Sequence, residues 1–303
     1  MNNKFYEGLY RLADPKISIT SLASMTIGGS LAARDGAVSW TWYGVLLIAL
    51  FCMEVAKNAW GDVIDYDSGT DLAVAPEDRT GFSGGKRVLV DELLTRAQTW
   101  GIAIAFSGMG ILLGAVIVFV REPAVFLIGV VGLILGWSYH GPPFKLAYHG
   151  LGELDVVICY GPLIAVSTYM TQAQDFNPEV VWLAIPLGIF IAAFLWVNEF
   201  PDHDADLGAS KRNLVVKLGK HRASRLLPVI YLAGFGILAM VPPLTGLPTL
   251  SWLGMIALLP AAYAIWWTWR LPMDFYRTRA VQPAALFTFV LYAAGTGLGV
   301  VMG

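Results

Sequence analysis

Residues 180–206 read VVWLAIPLGIFIAAFLWVNEFPDHDAD: an apolar run of helix length ends, and Asn198, Asp202 and Asp206 follow at intervals of four. A near copy, Asn58, Asp62 and Asp65, closes another apolar run. Acidic side chains beside hydrocarbon cost roughly 2.5–3.5 kcal/mol each on insertion scales. Two such clusters in so apolar a chain call for a functional explanation.

Of the 303 residues 56% are hydrophobic and only 14% charged, and the mean hydropathy is +0.62. This composition excludes an ordinary soluble domain and gives no sign of a nucleic-acid partner. The lipid bilayer is the expected surrounding. Apolar stretches near 17–34, 39–57, 99–120, 123–139, 153–172, 180–198, 226–245, 250–269 and 281–302 predict an all-α polytopic protein of about nine transmembrane helices in one bundle. These runs are continuous and rich in Leu, Ala, Gly and Ile, whereas a β-barrel shows alternating segments of about ten residues.

With the N-terminus cytoplasmic, all but Arg34 and Arg121 of the 20 Lys and Arg residues fall on the cytoplasmic side, as positive-inside topology requires. Both acid clusters then share that side, each following an even-numbered helix. Cys52 and Cys159 lie inside apolar runs and are read as packing residues. The first apolar run is expected to stay as a span rather than be cleaved near Leu31-Ala32-Ala33.

Loops 58–98, 139–152 and 198–225 interrupt the apolar pattern on the cytoplasmic side, and chemistry is expected there. The recurrence of Asn-x-x-x-Asp at 58 and 198 suggests an internal duplication with a cavity between two similar halves. No linker divides the chain, so residues 1–303 read as a single membrane domain.

On a helix advancing about 100° per residue, Asn198, Asp202 and Asp206 fall within roughly 80° of arc, and Asn58, Asp62 and Asp65 within about 60°. Each trio can enter one cavity. Asp204 and Asp67 point elsewhere, and the direction of Asp71, beyond Gly69, cannot be computed. Carboxylates without His or Cys spacing suit Mg²⁺, which combines one or two carboxylates with water and phosphate oxygens. The metal set is read as Asp62, Asp65, Asp202 and Asp206.

Arg79, Lys86, Arg87, Lys145, Lys211 and Arg212 surround these acids and suit phosphate oxygens. With Asn58 and Asn198 they form the expected diphosphate-binding set. Positive-inside bias accounts for Arg79 and Lys86 as well as a phosphate role does; Lys145, between Gly-Pro-Pro and the next helix, is read as functional. Glu54 and Asp155 either line the cavity or cap a helix.

Asn198-Glu-Phe-Pro-Asp202-His-Asp-Ala-Asp206, followed by Ser210-Lys-Arg-Asn-Leu-Val-Val-Lys-Leu-Gly219, closely resembles the second aspartate motif of the UbiA superfamily of intramembrane prenyltransferases. Asn58-Ala-Trp-Gly-Asp62 resembles the first. One position departs: Tyr66 stands where the first motif continues with an acid, so Asp65 or Asp71 must substitute. Phe82-Ser-Gly-Gly-Lys-Arg-Val-Leu-Val90, the Gly141–Glu153 segment and Tyr160-Gly-Pro162 look most like the 1,4-dihydroxy-2-naphthoate prenyltransferases of menaquinone biosynthesis.

The resemblance implies Mg²⁺-dependent transfer of an isoprenoid from an allylic prenyl diphosphate to an aromatic acceptor. Asp62, Asp65, Asp202, Asp206 and Lys145 would act in catalysis, and Tyr139 would orient the diphosphate. It also implies a bacterial plasma membrane as the setting. Rival readings are another acceptor, such as 4-hydroxybenzoate, homogentisate or another quinone or lipid precursor, and a cation-coupled transporter. Isoprenoid length and oligomeric state are not encoded in these motifs.

Overall fold

The bilayer's demand that every backbone polar group be satisfied within its own segment is met here by helices alone. The computed structural model describes residues 3–278 and 280–303, with no strand among them. We number the principal helices α1 (Asn3–Ala13), α2 (Pro15–Arg34), α3 (Trp40–Ser68), α4 (Arg96–Val120) and α5 (Val125–His140). They continue as α6 (Gly152–Ala173), α7 (Glu179–Gly208), α8 (Lys220–Thr245), α9 (Thr249–Arg270) and α10 (Val281–Met302).

Among the described residues seven helices, α3, α4 and α6–α10, are long and apolar enough to cross a membrane. Seven of the nine expected spans meet that test, and the other two are helical but shorter or less apolar. The segment expected at 123–139 forms α5, only 16 residues long. The segment expected at 17–34 forms α2, whose apolar residues are diluted by Ser, Thr and Gly. These small residues serve packing: a Cβ on Gly28 would lie 2.2 Å from the Ala165 carbonyl oxygen, so α2 and α6 meet backbone to backbone.

Burial ranks the helices. In α7 72% of the apolar window is buried, against 22% in α4, so α7 is the central rod and α4 faces outward. Phe190 of α7 stacks against Tyr231 and Phe235 of α8 and Tyr292 of α10, with ring centroids 4.6–6.1 Å apart. In α6 the helix bulges at Cys159–Leu163, where Pro162 lacks an N–H donor and Gly161 leaves helical geometry (φ −89°, ψ −106°). Tyr160, within that bulge, is buried.

Both motif helices outlast their apolar runs. α3 continues to Ser68 and closes on Gly69 at φ 84°, whose N–H donates to the Tyr66 carbonyl; α7 continues to Gly208. The stretches read as loop starts at 58 and 198 are therefore helical, and the angular arithmetic applies to them. The short helix α1 lies across this end, with Leu12 buried, Tyr6 and Tyr10 exposed, and Arg11 bonded to Asp91 at 2.6 Å. This is the pattern of an interfacial amphipathic helix.

Candidate active site

The ends of α3 and α7, together with segments 70–90, 139–148 and 206–213, enclose a cavity of about 720 Å³. Asp65 is buried on α3 and accepts from the Tyr148 hydroxyl at 2.7 Å and from Lys211 Nζ at 3.3 Å, with His140 Nε2 3.7 Å away. Asp206 on α7 accepts from Asn213 Nδ2 at 2.8 Å, and Lys211 lies 3.6 Å from its other oxygen. Lys211 thus joins one acid from each motif. Burial alone would pull its ammonium down, but the charges of Asp206 and Asp65 prevail and hold it well above the usual lysine range.

Asp202 accepts a hydrogen bond from the Gly84 N–H at 3.2 Å, which brings the 79–87 segment over the acids. Asp71 also lines the cavity, and its carboxyl is pushed up to about 8, chiefly by burial and then by the charges of Asp65 and Asp62. The chain makes room for it through Gly85, at φ 74°, where a Cβ would stand 2.4 Å from Asp71 Oδ1.

Among the described residues, four buried carboxylate oxygens in this cavity, Asp71 Oδ2, Glu199 Oε2, Asp202 Oδ1 and Asp206 Oδ1, have no hydrogen-bond partner, although Lys211 stands in ion-pair range of the last. Each buried orphan costs on the order of 1–3 kcal/mol, more when charged, a cost that a bound divalent cation and its water ligands would offset. Among the described residues, no three His, Cys, Asp or Glu close around a single point. Magnesium tolerates such a spread, because water and phosphate oxygens complete its shell, whereas zinc does not. The donor set therefore fits Mg²⁺ with a phosphate ligand.

Most of the expected site residues meet in this cavity. Asn58, Asp65, Asn198, Asp202 and Asp206 line it, as do Tyr139, Arg79, Lys86, Arg87 and Lys211. Asn198 is oriented by Gln282 Nε2 at 3.0 Å, and Asn58 Nδ2 donates to the Leu12 carbonyl at 2.8 Å. Lys86 pairs with Asp14, Arg87 with Asp91 at 3.0 Å, and the Arg79 guanidinium donates to the Val74 carbonyl at 3.2 Å. Asp204 and Asp67 turn outward to Lys220 and Arg96, as the helical arithmetic requires.

Three expected residues are not brought into the cavity. Asp62 lies behind it, its two oxygens accepting the Val88 and Leu89 N–H groups at 3.3 Å each, so it tethers the 79–90 segment. Lys145 lies at left-handed backbone (φ 46°) with Nζ 5.1 Å from the Tyr148 ring centroid, outside the lining. Arg212 is exposed, and its backbone N–H donates to the Tyr148 carbonyl. In both cases the turn preceding the residue directs the side chain away.

The motif reading passed over Lys57, Tyr148, Asn213, Glu153 and Glu199. Glu199 lines the cavity; its Oε2 and that of Glu153 are unpartnered, while Glu153 Oε1 accepts from the Leu214 N–H at 2.6 Å. Lys57 carried a visible signal, a lysine closing an apolar run. A second cavity, of about 330 Å³ and nearly all hydrocarbon, lies between α3, α4, α5 and α6, and meets the first at Lys57 and Tyr160. Glu54 and Asp155 line this second cavity.

Comparison with known proteins places this geometry. Residues 22–293 match the UbiA prenyltransferase family. The chain is 28% identical over 219 residues to the 2-carboxy-1,4-naphthoquinone phytyltransferase of Synechocystis sp., covering 70% of this chain and 66% of that one. It is 25% identical to the 1,4-dihydroxy-2-naphthoate octaprenyltransferase of Bacillus subtilis, covering 75% and 71%. The fold is shared with a UbiA homologue from Archaeoglobus fulgidus bound to GPP and Mg²⁺, at TM-score 0.58 and 17% identity, over 98% of this chain and 100% of that one.

Proposed function

We propose, from the premise that this chain belongs to the UbiA prenyltransferase family, that it transfers an isoprenoid from an allylic prenyl diphosphate to 1,4-dihydroxy-2-naphthoate. The observation that carries the reading is the set of buried carboxylate oxygens without hydrogen-bond partners that shares one cavity with Lys211 and the 79–87 cations, beside an apolar cavity. The names of the relatives favour a naphthoate-type acceptor.

Asp71, Asp202 and Asp206 are the residues that would hold Mg²⁺, one or two of them to an ion with water and phosphate completing its shell, and Asp65 shares its charge with Lys211; bound there, an ion would offset charge developing on the leaving diphosphate. Arg79, Lys86, Arg87 and Lys211 bind the diphosphate oxygens, and Asp62 holds the segment that carries three of them. The allylic C–O bond breaks with its electron pair leaving on diphosphate. A ring π pair of the acceptor closes on the allylic carbon, and the carboxylate departs as CO₂, returning its electrons to the ring. Burial among helices keeps water from the allylic cation. We place the N-terminus and the site on the cytoplasmic face of a bacterial plasma membrane.

The test is turnover of an allylic prenyl diphosphate with 1,4-dihydroxy-2-naphthoate in detergent, with and without Mg²⁺, read by product mass. A prenylated, decarboxylated, Mg²⁺-requiring product supports the assignment. Transfer only to 4-hydroxybenzoate or homogentisate replaces the acceptor, and ion flux in proteoliposomes without any transfer replaces the enzyme by a transporter.

A further inference from the structure

The junction of the two cavities holds a cation that the diphosphate reading does not use. Lys57 lines both cavities. Its Nζ stands 4.3 Å from the Tyr139 ring centroid, on α5, and 5.8 Å from that of Tyr160, at the α6 bulge. Aromatic faces attract an ammonium without neutralising it.

The neighbouring cations are paired with acids or carbonyls of the chain, and four of them are already assigned to the diphosphate. Lys211 is paired with Asp65 and Asp206, Lys86 with Asp14, Arg87 with Asp91, and Arg11 with Glu7 and Asp91. Arg79 is held by the Val74 carbonyl. Among the described residues Lys57 is in no ion pair of this kind. Glu54 and Asp155 act on it only from a distance: Glu54 accepts a hydrogen bond from Ser21, and Asp155 meets the Cys159 thiol at 3.8 Å.

An aromatic acid acceptor brings a second anion into a site already arranged for diphosphate. That anion needs a desolvated, uncommitted cation where a flat ring can pack against apolar walls. We infer that Lys57 is the specificity-determining residue for the acceptor, its ammonium binding the carboxylate of an aromatic acid between Tyr139 and Tyr160. The inference rests on the prenyltransferase reading for the class of ligand, and its own content is which residue recognises the acid. The competing account makes Lys57 a counter-charge to Glu54 and Asp155, with no ligand of its own.

The experiment measures equilibrium binding of 1-hydroxy-2-naphthoate and of 1-naphthol, which lacks the carboxylate, to the full chain in detergent as wild type, Lys57→Met and Lys57→Arg. A charge-assisted contact supports a preference for the acid of about 30-fold in wild type. Lys57→Met should bring the two probes within about threefold by weakening the acid alone, and Lys57→Arg should restore most of the preference. Undiminished preference in Lys57→Met, or equal weakening of both probes, overturns the inference. Thermal unfolding of each variant identifies misfolding, and Lys57→Gln replaces Lys57→Met if the latter fails to fold. The KM for prenyl diphosphate should stay within about twofold, because a change there would assign Lys57 to the diphosphate instead. Transfer to naphthoate with an unaltered acceptor KM in Lys57→Met leaves the prenyltransferase standing and removes this residue. Loss of the probe preference in Lys57→Met, without naphthoate transfer in wild type, does the reverse.

Discussion

Replacing Gly85 by alanine probes the site without substituting a charged residue. Gly85 sits at φ 74° and Gly84 at φ 88°, so an L side chain at either position costs about 1–2 kcal/mol of backbone strain. Space separates them. A Cβ at 84 finds nothing closer than Val74 Cγ1 at 3.6 Å, whereas one at 85 stands 2.4–2.6 Å from three atoms of the Asp71 carboxyl. Moving that carboxyl from 2.4 Å to the ordinary 3.4 Å displaces it by 1.0 Å. Misplacement of about 1 Å at a reacting centre costs on the order of 100-fold in rate. Gly84→Ala keeps the N–H that Asp202 accepts and should lose only a few degrees of melting temperature. Gly85→Ala should lose those few degrees and, in addition, about 100-fold in kcat/KM for prenyl diphosphate at limiting Mg²⁺. The assay is initial rate against Mg²⁺ concentration for both variants, beside their melting curves. Equal rates for the two variants, or a Gly85→Ala loss that vanishes once the unfolded fraction is discounted, would refute Asp71 as a metal-site residue.

Asp62→Ala and Asp202→Ala should both abolish turnover for different reasons: the former frees the Val88 and Leu89 amides and raises their hydrogen exchange, the latter leaves those amides protected. Unchanged exchange in Asp62→Ala would contradict the tether. Lys145→Ala should retain activity within about threefold, while Lys211→Met, which strands two buried carboxylates, should destabilise by about 3–5 kcal/mol and lose turnover; the reverse ranking would restore Lys145 to the site. At Asp91 burial works against the charge, but hydrogen bonds from Arg11 and Arg87 hold its carboxyl below the usual range. A depressed folded-state value stabilises above the unfolded value near 4 and is lost as pH falls through the folded one. Hydrogen exchange in α1, corrected for intrinsic rate, should therefore rise below about pH 4 in wild type, and a flat profile would show that Asp91 does not hold α1.

What the sequence made legible followed from periodicity. Asp204 and Asp67 are placed outward and Asn198, Asp202 and Asp206 inward by the 3.6-residue repeat, and α3 and α7 remain helical far enough for the repeat to apply. Residues in the connections escaped that logic. Lys145 and Arg212 are basic and near the motifs, yet a local turn decides where each points, and turn direction is not written in residue type. Asp62 shares the inward face, but the 84–90 backbone reaches it first. The roles of Tyr148 and Asn213 arise from contacts between segments distant in sequence, Tyr148 with Asp65 on α3 and Asn213 with Asp206 on α7. Lys57 was legible as a charge at the end of an apolar run, but not as a bridge between two cavities.

The depth of the acids separates the enzyme from the transporter. From Asn198 to Asp206 the helix rises about 12 Å at 1.5 Å per residue, all of it beyond the apolar run. A coupling-ion site is expected near mid-bilayer, at a break in a helix, where unwound carbonyls supply ligands. Here the break in α6, at Cys159–Leu163, presents Tyr160 rather than a carboxylate ring, and the acids occupy the last turns of α3 and α7 and the short turn after α3 that carries Asp71, beneath a basic segment. A diphosphate is too polar to enter hydrocarbon and an isoprenoid too apolar to leave it. A polar cavity at the helix ends that meets an apolar one within the bundle can hold both ends of one molecule, and ion transport has no need of the second cavity.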